Sequence, residues 1–270
     1  QWLPAMARGE KIGCFGLTEP QGGSDPGNMQ TRAHRDGGDW VITGAKTWIT
    51  NAPIADVAVV WAKTDDGVQG FLVEPGMKGF TAPEMHHKLS LRASVTSELA
   101  FDDVRIPDAN RLPEVQSLKG PLSCLNEARY GIVWGVVGAA RSCFEAALDY
   151  AMTRKQFDEP IASFQLTQAK LADMATKVQQ GYLLALRLGQ LKDEGRIEPE
   201  HISMGKRANA RMALDVARTA RGILGANGIT LEYPVLRHAN NLESVFTYEG
   251  TDEIHTLSIG MALTGIPAFR

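Results

Sequence analysis

Between Lys11 and about Arg111, apolar positions come in short runs rich in β-branched and aromatic residues: Trp40 to Ile42, Thr47 to Thr50, Val57 to Trp61, Phe71 to Val73 and Glu98 to Val104. Turn-forming clusters separate them, Asp36-Gly37-Gly38-Asp39, Asp65-Asp66-Gly67 and Glu74-Pro75-Gly76. Runs at a spacing of about ten residues predict antiparallel hairpins closing into a barrel or two packed sheets. Beyond Arg111 the period changes. Leu125, Ala128, Ile132, Val136, Ala140, Phe144 and Leu148 recur every three or four residues, which predicts a long helix with one buried stripe. Three further helices are predicted, over Gln165 to Lys192, Pro199 to Leu224 and Leu242 to Leu263, with Gly225 stopping the third. The predicted fold class is therefore α+β, an antiparallel β-barrel or sandwich over residues 11–115 followed by a C-terminal four-helix bundle over 116–270. Pro107 to Pro121 is the expected hinge, and a cleft between the two halves is the usual place for a cofactor.

Composition narrows the function more than the fold. The 270 residues are 44% hydrophobic and 22% charged with a formal net charge of -3, as in a globular protein; with no Lys/Arg-rich run, nucleic acid is not an expected partner. Cys14, Cys124 and Cys143 are odd in number, widely spaced and outside any CxxC pairing, which points to reduced thiols. The six histidines show no metal-ligand spacing, so no metal is expected. Ile132 to Ala140, the most apolar run, is far shorter than the roughly 20 residues a bilayer needs, so no membrane span is expected. Gly131 and Gly135 form a GxxxG pair, expected to let two helices pack closely. The opening Gln1-Trp2-Leu3-Pro4 has no export signal, and its lack of Met is expected of a sequence beginning inside a longer protein.

Two stretches are candidates for chemistry. In Tyr248-Glu249-Gly250-Thr251-Asp252-Glu253, a carboxylate stands beside a glycine just before an apolar helix. Thr251 suits an N-cap, Gly250 allows close backbone approach, and the helix start attracts an anion or a polarised carbonyl. The segment reads either as a base paired with an anion site or as an ordinary capped helix with solvated acids. The loop Phe15-Gly16-Leu17-Thr18-Glu19-Pro20-Gln21-Gly22-Gly23-Ser24-Asp25-Pro26 is dense in glycine, hydroxyls and proline; it suits a polyanion or a heteroaromatic edge, or is an irregular surface loop. Gly222-Ile223-Leu224-Gly225-Ala226-Asn227-Gly228 follows a helix rather than a strand and has the wrong spacing for a dinucleotide fingerprint, which argues against nicotinamide binding.

FGLTEPQGGSD, KTWITN, TRKQF, GILGANGI and YEGTDEIH, in this order and spacing, resemble the acyl-CoA dehydrogenase family over essentially the whole chain. LNEARYGIVWG, ITLEYPVLRHANNLES and TGIPAF look most like its glutaryl-CoA dehydrogenases. The resemblance implies FAD as cofactor. Phe15, Leu17, Thr18 and Ser24 of the loop and Trp48, Ile49 and Thr50 would hold the flavin ring and diphosphate, Thr18 and Thr50 bonding the ring edge. Ser24 would also bond the CoA arm. Arg154 and Gln165 would reach the FAD of a neighbouring subunit, or else are solvated groups at helix ends. Gly222, Ile223, Leu224, Gly225 and Ala226 would lie under the adenine end, with Ala226 where a glycine is common. Thr251, Asp252, Glu253 and Phe269 would complete the cofactor contacts. Leu122, Leu125, Asn126, Arg129, Tyr248 and Gly250 would bind substrate, Arg129 alternatively pairing with Glu127.

Glu249 falls on the family's catalytic base, which removes a thioester α-proton as hydride passes from the β-carbon to flavin; the Glu249 amide and a ribityl hydroxyl would polarise the thioester oxygen. The implied reaction is oxidation of glutaryl-CoA to crotonyl-CoA and carbon dioxide, within lysine and tryptophan degradation. Other short-chain acyl-CoAs, a non-decarboxylating glutaryl enzyme and a non-catalytic helical binding module remain open. Implied partners are an electron-transfer flavoprotein and further copies of the chain in a dimer of dimers, in a bacterial cytoplasm or a mitochondrial matrix. The family carries a helical domain of roughly one hundred residues, an ordinary domain length, ahead of the β domain. Residues 1–10 are thus expected to be its remnant or a linker, and an isolated chain is expected to expose an apolar patch where that domain packs.

Overall fold

The computed structural model describes residues 2–269, in two compact units, Gln1–Cys124 and Leu125–Arg270. The first opens with a five-residue helix, α1 (Leu3–Ala7). Its sheet comprises β1 (Gly13–Gly16), β2 (Arg32–Asp36), β3 (Asp39–Thr50), β4 (Val57–Thr64), β5 (Gly67–Val73), β6 (Phe80–Thr81) and β7 (Thr96–Pro107), in the order β1-β4-β2-β3-β7-β6 with β5 on β4. Two of the three turn clusters close the expected hairpins: Asp36 faces Asp39 across β2–β3, and Thr64 faces Gly67 across β4–β5; Glu74-Pro75-Gly76 closes none, since β5 pairs with β4 and β6 with β7. Ile42, Val60, Phe71, Val73, Leu99, Val104 and Ile106, all fully buried, form the core.

Three details differ from the expectation. β1 runs parallel to β4, as does the start of β2 through Arg32 and Lys63, so the curled sheet is mixed. β1 is four residues with two glycines and β2 is mostly charged, so neither carries an apolar run; their place comes from pairing with β4 and β3. The runs Trp40 to Ile42 and Thr47 to Thr50 are one strand, β3, interrupted by bulges. At the first, Gly44 has φ +144 and a Cβ there would stand 2.7 Å from the Thr31 Cα, so only glycine fits. At the second, Trp48 takes φ +62 and turns outward, while Lys46, Thr47 and Ile49 stay buried.

The second unit is helical: α2 (Lys119–Thr153), which begins at the end of the first unit, α3 (Gln165–Asp193), α4 (Pro199–Ile223), α5 (Val235–Thr247) and α6 (Asp252–Thr264), with a short hairpin of β8 (Lys155–Gln156) and β9 (Glu159–Pro160) between α2 and α3. The buried stripe of α2 is Val133, Val136, Val137, Ala140, Cys143, Ala147 and Ala151, so Ile132, Phe144 and Leu148 flank it rather than centre it. This helix is longer than the apolar run suggested and is apolar enough by length and composition alone to cross a membrane, yet its stripe packs into a core shared with α4 and α5. The Asn209 amide, buried on α4, donates to the Val133 and Gly181 carbonyls at 3.1 and 3.0 Å and so ties α2, α3 and α4. Gly131 and Gly135 make no close helix contact among the described residues, since a Cβ on either would meet nothing within 4 Å. The predicted helix over Leu242 to Leu263 is also corrected, being broken into α5 and α6 by residues 248–251.

Candidate functional site

The break between α5 and α6 is built from backbone conformations a helix cannot contain. Glu249 has φ +54 and Gly250 φ +88, and Thr251 restarts the helix by accepting the Ile254 N–H at 3.2 Å. Three consecutive carbonyls of this turn are held by the buried Lys206 and the half-buried Arg129. The Lys206 ammonium donates to Tyr248 O at 2.8 Å and Gly250 O at 2.7 Å, and Arg129 Nε donates to Glu249 O at 2.8 Å. His255 Nε2 lies 3.1 Å from the same Glu249 O and His255 Nδ1 3.1 Å from Ser203 Oγ. A carbonyl only accepts, so Nε2 carries the proton and the Ser203 hydroxyl donates to Nδ1. Burial, helped by Lys206 and Arg129, pushes His255 down to about 4, which keeps it neutral.

Gly250 is required twice, for its positive φ and because a Cβ there would come within 2.9 Å of His255 Nε2. Gly250→Ala is expected to cost about 1–3 kcal/mol of stability, the range for a strained backbone position. Denaturant unfolding of the two proteins checks this, and a loss below a few tenths would show that the turn relaxes freely.

The Glu249 carboxyl is half-buried, and its Oε2 is buried with no hydrogen-bond partner among the described residues. Burial raises its pKa above the ordinary carboxylate value, with Arg129 and Lys206 opposing; burial lowers Lys206 to about 8. Asp252 behaves differently. Burial would raise it too, but Arg211 engages both its oxygens, Nε to Oδ1 at 2.6 Å, Arg207 lies 3.6 Å away, and its pKa falls. The Asp252 carboxylate is thus engaged by two arginines of α4. Glu127 binds Lys192 at 2.6 Å, so the alternative Arg129–Glu127 pair does not form. Thr251 is half-buried and Glu253 exposed; Leu122 is exposed, with Leu125 and Asn126 half-buried, at the start of α2.

In the first unit the loop from Leu17 to Thr31 folds around one buried ion pair, Glu19 with Lys46. The Glu19 carboxylate accepts from Lys46 Nζ at 2.7 Å, Gln30 N at 2.5 Å, Thr31 N at 3.0 Å and Gln21, while Lys46 also donates to Leu17 O at 3.1 Å. Burial pushes the Glu19 carboxyl up, but Lys46, Thr31 and Gln30 together hold it at about 2. Thr47 N donates to Thr18 O at 2.9 Å, tying the loop to β3. Trp48, 62% exposed, and the exposed Thr50 flank Ile49, whose side chain is in the core. Leu17 is buried, Phe15 and Thr18 half-buried, and Ser24 exposed, so Leu17 and Ile49 can offer a ligand chiefly backbone.

A second cleft of the helical unit, about 440 Å³, is lined by Tyr150, Arg154, Gln156, Ile161, Asn227 and the segment Ile223 to Ala226. Ile223 and Leu224 give it an apolar floor, and Arg154 supplies an exposed guanidinium. Gly222, exposed, and Gln165, exposed at the start of α3, are not among its lining residues; Phe269 is exposed beyond α6. The structure thus gathers Arg129, Tyr248, Glu249, Gly250 and Thr251 at one turn, and Arg154 with Ile223 to Ala226 at another place.

Lys206, Ser203, His255, Arg211 and the Glu19–Lys46 pair were not singled out in the sequence. One signal was present. Ile202, Lys206, Ala210 and Ala213 fall on one face of α4, and a lysine in an apolar stripe demands an internal partner.

Residues 14–104 match the family model for the acyl-CoA dehydrogenase middle domain and 119–264 that for the acyl-CoA dehydrogenase C-terminal domain. The mitochondrial short-chain specific acyl-CoA dehydrogenase of Bos taurus is 38% identical over 265 residues, 96% of this chain and 64% of that protein. A crystal structure of glutaryl-CoA dehydrogenase from Mycobacterium smegmatis superposes with TM-score 0.99 at 64% identity, over 100% of this chain and 70% of that one. A glutaryl-CoA dehydrogenase from the same organism in complex with FADH2 gives TM-score 0.98 at 59% identity, again over 100% and 70%. The chain therefore spans somewhat less than two thirds of the bovine relative's length.

Proposed function

The chain belongs to the acyl-CoA dehydrogenase family, and from that premise we propose that it oxidises an acyl-CoA thioester, with Glu249 as the base that removes the α-proton. The observation carrying this is the buried Oε2 of Glu249, without a hydrogen-bond partner among the described residues, on a turn whose carbonyls at 248–250 are all held. The carbon acid beside a thioester is weak, so the base must be desolvated and its pKa raised, as burial does here. Arg129 and Lys206 oppose that rise and keep the carboxylate available. The proposed donor to the thioester oxygen is the Glu249 backbone N–H. An acyl chain lying on the turn would exclude the remaining water.

FAD, when bound, supplies the two-electron acceptor for the β-hydride. The residues fit such a group. A Cβ on Gly225, at φ +58, would meet nothing within 4 Å, and Arg154 beside it is a suitable fork for a diphosphate. The bulge that turns Trp48 outward gives a planar apolar surface with the Thr50 hydroxyl beside it. We assign Thr18, Trp48 and Thr50 to the ring, and Arg154, Gln165 and the Gly222 to Ala226 segment to the FAD of a second copy. A dimer or dimer of dimers follows, and light scattering that found flavin-loaded monomers would contradict it.

The substrate we favour is glutaryl-CoA, converted to crotonyl-CoA and carbon dioxide, with an electron-transfer flavoprotein reoxidising the flavin. Identity to glutaryl-CoA dehydrogenases at 64% and 59%, against 38% to the bovine short-chain enzyme, supports that order. A panel of acyl-CoAs with an artificial electron acceptor tests it. Glutaryl-CoA should be oxidised faster than butyryl-CoA, because a site that pairs a distal carboxylate leaves its cation unpaired otherwise. Equal rates would favour the short-chain reading, and glutaryl oxidation without carbon dioxide would replace the product with glutaconyl-CoA.

A further inference from the structure

We propose that Lys206 is a positioning residue for Glu249: its buried ammonium draws the carbonyls of Tyr248 and Gly250 onto one point and so holds the intervening residue in the left-handed conformation. The inference rests on the reading of Glu249 as the base. Lys206 is 1% exposed, and among the described residues no carboxylate lies within ion-pairing distance of it. A dehydrated ammonium is costly unless its donors are used. Two of them go to carbonyls two residues apart, at 2.8 and 2.7 Å. In a continuing helix such carbonyls lie on opposite sides of the axis and cannot converge on one cation. Bending the chain around Lys206 therefore breaks the helix where the base stands.

A non-glycine residue at φ +54 persists only where its surroundings over-determine it. Arg129 from α2 and His255 from α6 hold the Glu249 carbonyl, and Lys206 from α4 holds the peptides on both sides. The groups around the Glu249 carboxyl are Arg129, Lys206, neutral His255, the Tyr248 phenol and Asp252, the last taken up by Arg211 and Arg207. Lys206 is thus one of the two cations opposing the effect of burial on the carboxyl.

The test uses Lys206→Met, of similar length without donors, and Lys206→Gln, which keeps donors without charge, in the complete flavin-loaded protein. In Lys206→Met the crystal structure should show Glu249 outside the left-handed region. Flavin reduction by acyl-CoA should slow about 10²-fold, the scale for a catalytic group displaced by 1 Å, while the flavin absorbance is kept. Losing a cation raises the Glu249 pKa further, so the rising limb of the rate profile should move to higher pH in both variants. Lys206→Gln should keep the turn and lose less rate, and it carries the test where Lys206→Met does not fold. Wild-type rates with an unmoved pH limb in either folded variant, or an unchanged turn in folded Lys206→Met, would overturn the proposal. If the wild-type flavin is reduced by no acyl-CoA, the reading of Glu249 as base falls, and the crystallographic conformation at 249 still decides the role of Lys206.

Discussion

Glu249→Gln is expected to bind flavin and acyl-CoA normally and to reduce its flavin about 10³–10⁴-fold more slowly, near the upper end of what one proton-transfer group contributes. The amide has the same shape and sits on the same held turn, so binding has no reason to change. It cannot accept the proton. Stopped-flow reduction at 450 nm measures the rate, and turnover within tenfold of wild type would remove Glu249 from the mechanism. Stability provides a second readout that needs no substrate. A carboxyl whose folded pKa is raised favours the folded state below its unfolded pKa and loses that contribution as pH rises through the folded value. Wild type should therefore lose stability relative to Glu249→Gln as pH increases from acid toward neutral.

The second large effect is expected at the loop from Leu17 to Thr31. Glu19→Gln leaves Lys46 buried, 0% exposed by side chain, without its carboxylate, and breaking one partner of such a pair costs about 3–5 kcal/mol. Dehydrating both ions offsets much of their attraction, so the pair contributes more by placing the loop than by net stability. The double change Glu19→Gln with Lys46→Met should therefore recover a large part of the loss. Acid titration separates this from simple loss of packing. Glu19 is held at about 2 against an ordinary 4.5, so its contribution is present above 4.5 and fades as pH falls toward 2. Wild type should destabilise steeply over that window and Glu19→Gln less so. Parallel acid curves would mean that the carboxylate is not ionised in the fold.

What the sequence disclosed follows from where the controlling forces act. Turn chemistry at Asp36 to Asp39 and Asp65 to Gly67 is local, and the hairpins are where those residues suggest. The helical period survives in α3 and α4 because their faces pack against a continuous partner. The break at residues 248–251 left no proline and only one glycine to signal it; it comes from Lys206, Arg129 and His255, two of them far away in sequence. β1 and β2 likewise owe their strand conformation to distant pairing rather than to their own composition. Glu249 drew attention through its neighbours Gly250 and Thr251, whose conformational roles a sequence can carry. The atoms that set its pKa could not be read, since Lys206 and Arg129 approach through tertiary packing.

Breaking one helix into α5 and α6 also changes the field at the turn. An unbroken helix concentrates its macrodipole at its ends, whereas here the half-negative end of α5 and the half-positive end of α6 meet around Glu249. Lys206 sits on the carbonyl side of that junction, at Tyr248 O, and Asp252 occupies the first position of α6, each carrying the sign its helix end attracts. An anion forming beside the start of α6 would thus meet oriented amides already fixed in place, so little polarisation remains to be arranged as charge develops.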